Sequence, residues 1–251
     1  MFCCGEVYAL FLDQERIRRD KECNDLCSFH HTDCVFWRVV KDKVRPDNVF
    51  DILSEHSGCE VISDSSKTPE WLMPRITRMP GEIAVRPIVL SKTLADYTAS
   101  AMTRMTGMTV ERCVREWEEY YRGVWTDLGL AGLKPLAVLY EKLAREPEAT
   151  LRTLCGELGL TFTDLMLTPW ENENAHPVYG NHSVTFFRKV PSVQPEVNFV
   201  RDGMQVVRGY QQNFGKVFYH ADKAAKILSD AERQLVQEAI DAGIEKVRFG
   251  L

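Results

Sequence analysis

From about residue 47 onward, short apolar runs alternate with longer stretches of helical periodicity, and this alternation limits the fold more than any other feature. Strands separated by helices pair in parallel, because a tight hairpin cannot join them, and the intervening helices cover the sheet. Residues 47–57 form a predicted amphipathic helix with Val49, Ile52 and Leu53 on one face, ended by Gly58, and 59–63 form a strand. Residues 69–79 have helical character broken by Pro74, which lacks a backbone donor. A strand is predicted over 86–91 and a helix over 94–104. Residues 109–128 carry the strongest signal: Val110, Cys113, Trp117, Tyr121, Val124 and Leu128 recur at helical spacing, an aromatic stripe that belongs in a core. A third strand follows at 134–140 and a helix at 147–158, opened by Pro147. Ser229 and Glu232 spell a capping box for a helix running through Ile240 to Ile244. Residues 168–200 read as irregular, and no repeat or linker divides the chain. The expectation is one α/β domain over residues 1–251, a parallel sheet flanked by helices.

Composition narrows the function. The formal net charge of −5 over 251 residues lacks the basic footprint of a nucleic-acid binder. No apolar run reaches the roughly 18 to 20 residues that span a bilayer, and Met1 to Leu12 has no basic lead and carries Glu6 early, unlike a signal peptide. A cytoplasmic protein is expected. Of the eight cysteines, Cys59, Cys113 and Cys155 sit among apolar neighbours and read as small core residues. Cys23, Cys27, His30, His31 and Cys34 form a cluster that could bind zinc through thiolate and imidazole. It lacks the usual Cys-x2-Cys pair, so the expectation is a loop whose cysteines pack, with no metal.

Chemistry concentrates at strand ends. Lys92 closes the strand at 86–91, Ser100 follows eight residues later on the next helix, and Arg104 lies one turn beyond Ser100 on the same face. A cation, a hydroxyl and a second cation so placed can hold a phosphate. The chain contains no Gly-x4-Gly-Lys-Ser/Thr, which excludes a P-loop ATPase or GTPase of ordinary type. Three further segments fall in order: Phe2-Cys-Cys-Gly-Glu6 before a helix, Ile62-Ser-Asp-Ser-Ser-Lys67 at a strand end, and Val138-Leu-Tyr140-Glu-Lys-Leu143 leading to Leu158-Gly-Leu160.

This order resembles the sulfotransferase family that uses 3′-phosphoadenosine 5′-phosphosulfate, particularly its bacterial and tyrosylprotein branches. The likeness extends over nearly the whole chain, including Cys34-Val-Phe-Trp37 and Tyr179-Gly-Asn181. It implies a P-loop-NTPase-like parallel sheet flanked by helices, and in-line transfer of a sulfuryl group from the nucleotide to a hydroxyl or amine. By resemblance, Glu6 takes the acceptor's proton and Lys67 stabilises charge on the transferring group. Lys92, Ser100 and Arg104 clamp the 3′-phosphate, and Tyr140 contacts the nucleotide. On the residues alone, Glu6 reads rather as a helix-start carboxylate and Lys67 as a surface lysine, and Tyr140 can be an ordinary strand-end aromatic. Glu6 stands ahead of the first strand that the pattern predicts.

Two departures from the family matter. Its Arg-Asp-Pro is replaced by Lys92-Thr93-Leu94, exchanging a planar fork for a point charge and implying weaker phosphate binding. The segment from His176 resembles the part that folds over the nucleotide, with the expected basic residue displaced to Arg188 or Lys189. The family's opening strand and Gly/Ser/Thr-rich loop have no counterpart in these residues, so the first strand and phosphate loop are expected to be missing. Loss of a central strand would leave unpaired edges and favour homo-oligomers. The chain is therefore expected to be a sulfotransferase, in truncated form, acting on a small hydroxylated acceptor. The alternative is a non-catalytic homologue that binds a nucleotide or a protein, and a third reading is a metal module built on Cys23, Cys27, His31 and Cys34.

Overall fold

The computed structural model describes residues 1–12, 27, 30, 34–67, 69–76, 83–172, 174–178, 197–201, 204–207 and 221–250. Cys23, His31, Tyr179, Gly180, Asn181, Arg188 and Lys189 lie outside the described residues. The fold is mixed α/β, and its contacts divide it into two compact units. One comprises Met1–Ile83 with Thr163–Gln194, the other Ala84–Phe162 with Pro195–Leu251.

The first unit is built on two parallel strands, β1 (Phe2–Gly5) and β2 (Ile62–Asp64), in register at Phe2↔Ile62 and Cys3↔Ser63 with a shift before Gly5. The presence of β1 corrects the sequence reading, which placed no strand before 59–63. Phe-Cys-Cys-Gly is short and shows no alternation, and its extended form depends on partners far along the chain. Phe2 N–H donates to the Val61 carbonyl at 2.8 Å, and Val178 N–H donates to the Cys4 carbonyl at 2.9 Å. Helices α1 (Ala9–Leu12), α2 (Val35–Val40) and α3 (Val49–Ser57) belong to the same unit. Phe2, Cys4, Val7, Trp37, Val49, Leu53, Trp71 and Val178 form its buried core.

Helix α4 runs Pro69–Ile76 with Pro74 inside it, where the sequence predicts a break. Tertiary contacts compensate for the missing backbone donor. Trp71 Nε1 donates to Asp64 Oδ2 at 2.8 Å, its ring stacks on Phe11 at 5.3 Å, and the Arg75 guanidinium lies over the ring.

The second unit contains the parallel pair β3 (Ile88–Ser91) and β4 (Leu136–Leu139), in unbroken register from Ile88↔Leu136 to Ser91↔Leu139. Two helices connect them, α5 (Leu94–Arg104) and α6 (Val110–Leu130). Thr93 caps α5 by accepting from Asp96 N–H, and Thr109 caps α6 by accepting from Arg112 N–H. The inner stripe of α6 is buried at Val110, Cys113, Trp117, Tyr121, Val124 and Leu128, as its periodicity predicts, while Arg112–Glu116 and Arg122–Glu118 pair on the outer face. After β4 come α7 (Tyr140–Arg145) and α8 (Pro147–Leu158), then an antiparallel pair, β5 (Val197–Arg201) with β6 (Met204–Val207). Helix α9 (Lys223–Ile227) precedes α10 (Asp230–Asp241), which opens on the reciprocal Ser229–Glu232 capping box. Past Asp241 the chain tightens into a 3₁₀ turn, Ile244–Phe249, so the helix stops short of the Ile244 that the sequence pattern included. Among the described residues, no helix is long and apolar enough to cross a membrane.

Trp117 is 1% exposed and donates its ring N–H to the Lys92 carbonyl at 3.2 Å, joining the α6 core to the end of β3. Trp117→Ala is expected to cost about 3–5 kcal/mol in denaturant unfolding. Tyr120→Ala, on the same helix but 49% exposed, should stay within about 0.5 kcal/mol of the parent.

Candidate functional site

In the first unit the parallel register brings Glu6 and Lys67 together. Glu6 follows β1 directly and Lys67 lies three residues beyond β2, so both occupy the carboxyl ends of paired parallel strands, where open α/β sheets gather their ligands. Lys67 Nζ stands 2.6 Å from Glu6 Oε1. The pair is asymmetric: the Glu6 side chain is 12% exposed and that of Lys67 is 63% exposed. Glu6 is held from behind, since its N–H donates to the Val178 carbonyl at 2.9 Å.

The turn after β2 is also fixed. Asp64 Oδ1 accepts from Ser66 N–H at 2.8 Å and from Ser66 Oγ at 2.6 Å, and Ser66 Oγ accepts from Tyr8 N–H at 3.1 Å. The Asp-Ser-Ser-Lys stretch therefore shapes the loop that presents Lys67.

In the second unit the last rung of the β3–β4 ladder, Ser91↔Leu139, places Lys92 beside Tyr140. Lys92 Nζ sits 4.4 Å from the centre of the Tyr140 ring. Ser100 is buried on α5, and one turn on, Arg104 Nε donates to its carbonyl at 3.2 Å. The Ser100 hydroxyl accepts from Lys223 Nζ at 2.7 Å. Three cations thus converge near one buried hydroxyl, with Asp96 and Glu141 as the neighbouring carboxylates.

Crowding shows in the proton affinities. Burial first, and then the Arg104 charge, lower the Lys92 ammonium below its usual range, against Asp96 and Glu141. Burial together with Lys92 and Arg104 pulls Lys223 down to about 8. Burial also pushes the Tyr140 phenol up. An anion with several acceptor oxygens would relieve this repulsion. It would not sit on the first amides of α5, because Thr93 N–H donates to Glu141 Oε1 and Leu94 N–H to Glu245 Oε1, each at 2.9 Å.

Lys223 escaped the sequence reading. It has no motif around it, and only the folding of α9 against α5 brings it to Ser100. The Cys/His expectation is also reshaped: Cys27, His30 and Cys34 lie together, joined by His176 from 142 residues beyond Cys34. Hydrogen bonds from Cys27 and His176 hold the Cys34 thiol well below its ordinary range, overcoming burial. A cavity of 380 Å³ in the second unit, lined by Val114, Arg122, Ala239 and Ile244 among others, contains none of these residues.

No family model matches the chain, and no curated protein matches it. Among solved structures, a sulfotransferase domain from the curacin biosynthetic pathway is similar, with a TM-score of 0.48 and 14% identity. The likeness covers 77% of this chain and 67% of that one. A likeness this distant carries no functional assignment.

Gly5 tests the Glu6 setting. Its φ is +73°, and an added Cβ would lie 2.5 Å from the Val178 carbonyl oxygen. Gly5→Ala must strain the backbone and push the Val178 segment away, so a loss of at least about 1–3 kcal/mol in unfolding free energy is expected. Gly107→Ala, also at positive φ but with open space around its Cβ, should lose less than Gly5→Ala.

Proposed function

We propose that this chain is a sulfotransferase whose Lys92, Ser100, Arg104, Lys223 and Tyr140 hold the 3′-phosphate end of 3′-phosphoadenosine 5′-phosphosulfate. The observation that carries the reading is the meeting of Lys223 Nζ with the buried Ser100 hydroxyl at 2.7 Å, beside two further cations. Among the described residues, Lys92, Arg104 and Lys223 crowd one another with Asp96 and Glu141 beside them, and an exchangeable anion is the simplest further partner. Tyr140 adds an aromatic face at the strand end, suited to the nucleoside. The resemblance of the strand-end segments to the sulfotransferase pattern supplies the identity of the nucleotide.

In this reading Glu6 and Lys67 serve the chemistry. The acceptor is a hydroxyl or amine on a small molecule. Its oxygen or nitrogen attacks sulfur in line as the bond from sulfur to the bridging phosphate oxygen breaks. The acceptor's proton passes to Glu6, and 3′-phosphoadenosine 5′-phosphate departs. Lys67 neutralises charge on the transferring group. The asymmetry of the ion pair fits these roles, because the exposed lysine can swing toward the sulfuryl group while the shielded carboxylate stays in place.

Calorimetric titration with 3′-phosphoadenosine 5′-phosphate tests the binding half. Lys223→Ala and Lys92→Ala should each weaken affinity by about tenfold to a hundredfold, the worth of a charge-assisted contact. Arg152→Ala removes an exposed cation paired with Glu148, outside the cluster, and should change nothing. No binding to the folded chain, or binding indifferent to these substitutions, would overturn the reading. Glu6→Gln should abolish sulfuryl transfer from the donor while leaving nucleotide affinity intact.

The pH dependence has a definite sign. A bound phosphate favours the protonated form of Lys223, whose value in the free protein is about 8. Affinity should be full below pH 8 and fall as pH rises through it. Binding near pH 8 should take up protons, visible as a dependence of the calorimetric heat on buffer ionisation enthalpy. In Lys223→Ala that uptake should shrink.

A further inference from the structure

We propose that Cys27, His30, Cys34 and His176 form a structural zinc site. One ligand atom from each lies within 4.8 Å of all the others. Cys27 Sγ stands 3.4 Å from His30 Nδ1, and Cys34 Sγ stands 3.4 Å from His176 Nδ1. Zinc bonds of about 2.3 Å to sulfur and about 2.0–2.1 Å to nitrogen put neighbouring ligands of a tetrahedron roughly 3.4 to 3.8 Å apart. Small rotations of the remaining pairs would therefore close the shell.

The donor set selects the ion. Two thiolates with two imidazoles suit zinc and exclude the hard cations that need oxygen. Four protein ligands fill a tetrahedron and leave no position for substrate, so the role is structural. Cys27 and Cys34 are 0% and 5% exposed, which places the ion in a dry setting. Packing around His176 fixes its place. Trp37 Nε1 donates to the His176 carbonyl at 2.7 Å, and the Phe36 ring stacks on His176 at 5.1 Å. The His30 and His176 rings meet at 4.6 Å.

Such a site would tie together three stretches of the first unit: the segment of Cys27 and His30, the start of α2, and the segment of His176 and Val178. Val178 bridges to Cys27 and pairs with β1 at Gly5. His176 stands two residues before Val178, so a metal on it anchors the segment whose Val178 carbonyl accepts from Glu6 N–H. Closing so long a loop is where a cross-link constrains the unfolded chain most.

The test is the metal content of the whole purified chain, loaded with zinc and freed of excess. About one zinc per chain is expected, and replacement by cobalt should give the thiolate-to-metal charge-transfer absorption of a tetrahedral two-thiolate site. Cys34→Ser and His176→Ala should each reduce zinc retention about tenfold or more against a chelator. Cys155→Ser, a buried cysteine outside the cluster, should retain it. Because the variants could fail to fold, the parent is also measured directly. Chelation should lower its thermal midpoint and open two further thiols to alkylation, and added zinc should reverse both. Folded parent that binds no zinc, or a chain lighter by two hydrogens through a Cys27–Cys34 disulfide, would overturn the proposal. Full zinc retention in a folded Cys34→Ser/His176→Ala chain would do so as well.

Discussion

The parallel pairing of very short strands governs which charged side chains meet in this protein. Ser91↔Leu139 is the last rung of one ladder, and it sets Lys92 against Tyr140. Gly5↔Asp64 ends the other, and it sets Glu6 against Lys67 within one turn. A slip of one residue in either ladder would turn alternate side chains to the opposite face and separate both pairs. Strands of three and four residues have few hydrogen bonds with which to hold register. Packing does much of that work: Trp117 bonds the Lys92 carbonyl, Asp64 receives Trp71 and Ser66, and Val178 pairs with both sides of Gly5.

The two charged groups differ in kind. Glu6 and Lys67 compensate each other, the lysine exposed and the carboxylate shielded. Among the described residues, Lys92, Arg104 and Lys223 repel one another in a partly buried setting, with Asp96 and Glu141 acting against that repulsion. Burying uncompensated cations costs stability unless a partner arrives. Strain of this sort belongs at binding sites, where the ligand supplies the missing charge.

The helices were legible because their signals are local. The α6 stripe, the threonine caps at Thr93 and Thr109 and the Ser229–Glu232 box each lie within a turn or two of the structure they specify. Helix α5 has the bounds that its pattern predicts. The misreadings have equally physical causes. Strand β1 has no alternation of its own and is extended because distant strands pair with it. Helix α4 continues through Pro74 with Trp71 held by Asp64, Phe11 and Arg75, a compensation that propensity cannot register. Of the proposed zinc ligands, Cys27, His30 and Cys34 stand in the cluster visible in the sequence, but His176 comes from 142 residues beyond Cys34 and no spacing points to it.

The sequence by itself determined the α/β alternation, the amphipathic faces and the strand-to-helix junction that carries Lys92, Ser100 and Arg104. Those properties follow from neighbours within one helical turn or one strand. Tertiary structure alone decided that Lys223 would meet Ser100, that His176 would join Cys27, His30 and Cys34, and that Val178 would press on Gly5. Each of these depends on closing a loop of more than a hundred residues. No local pattern encodes such a closure, because the free energy that pays for it is spread over the packing of an entire unit.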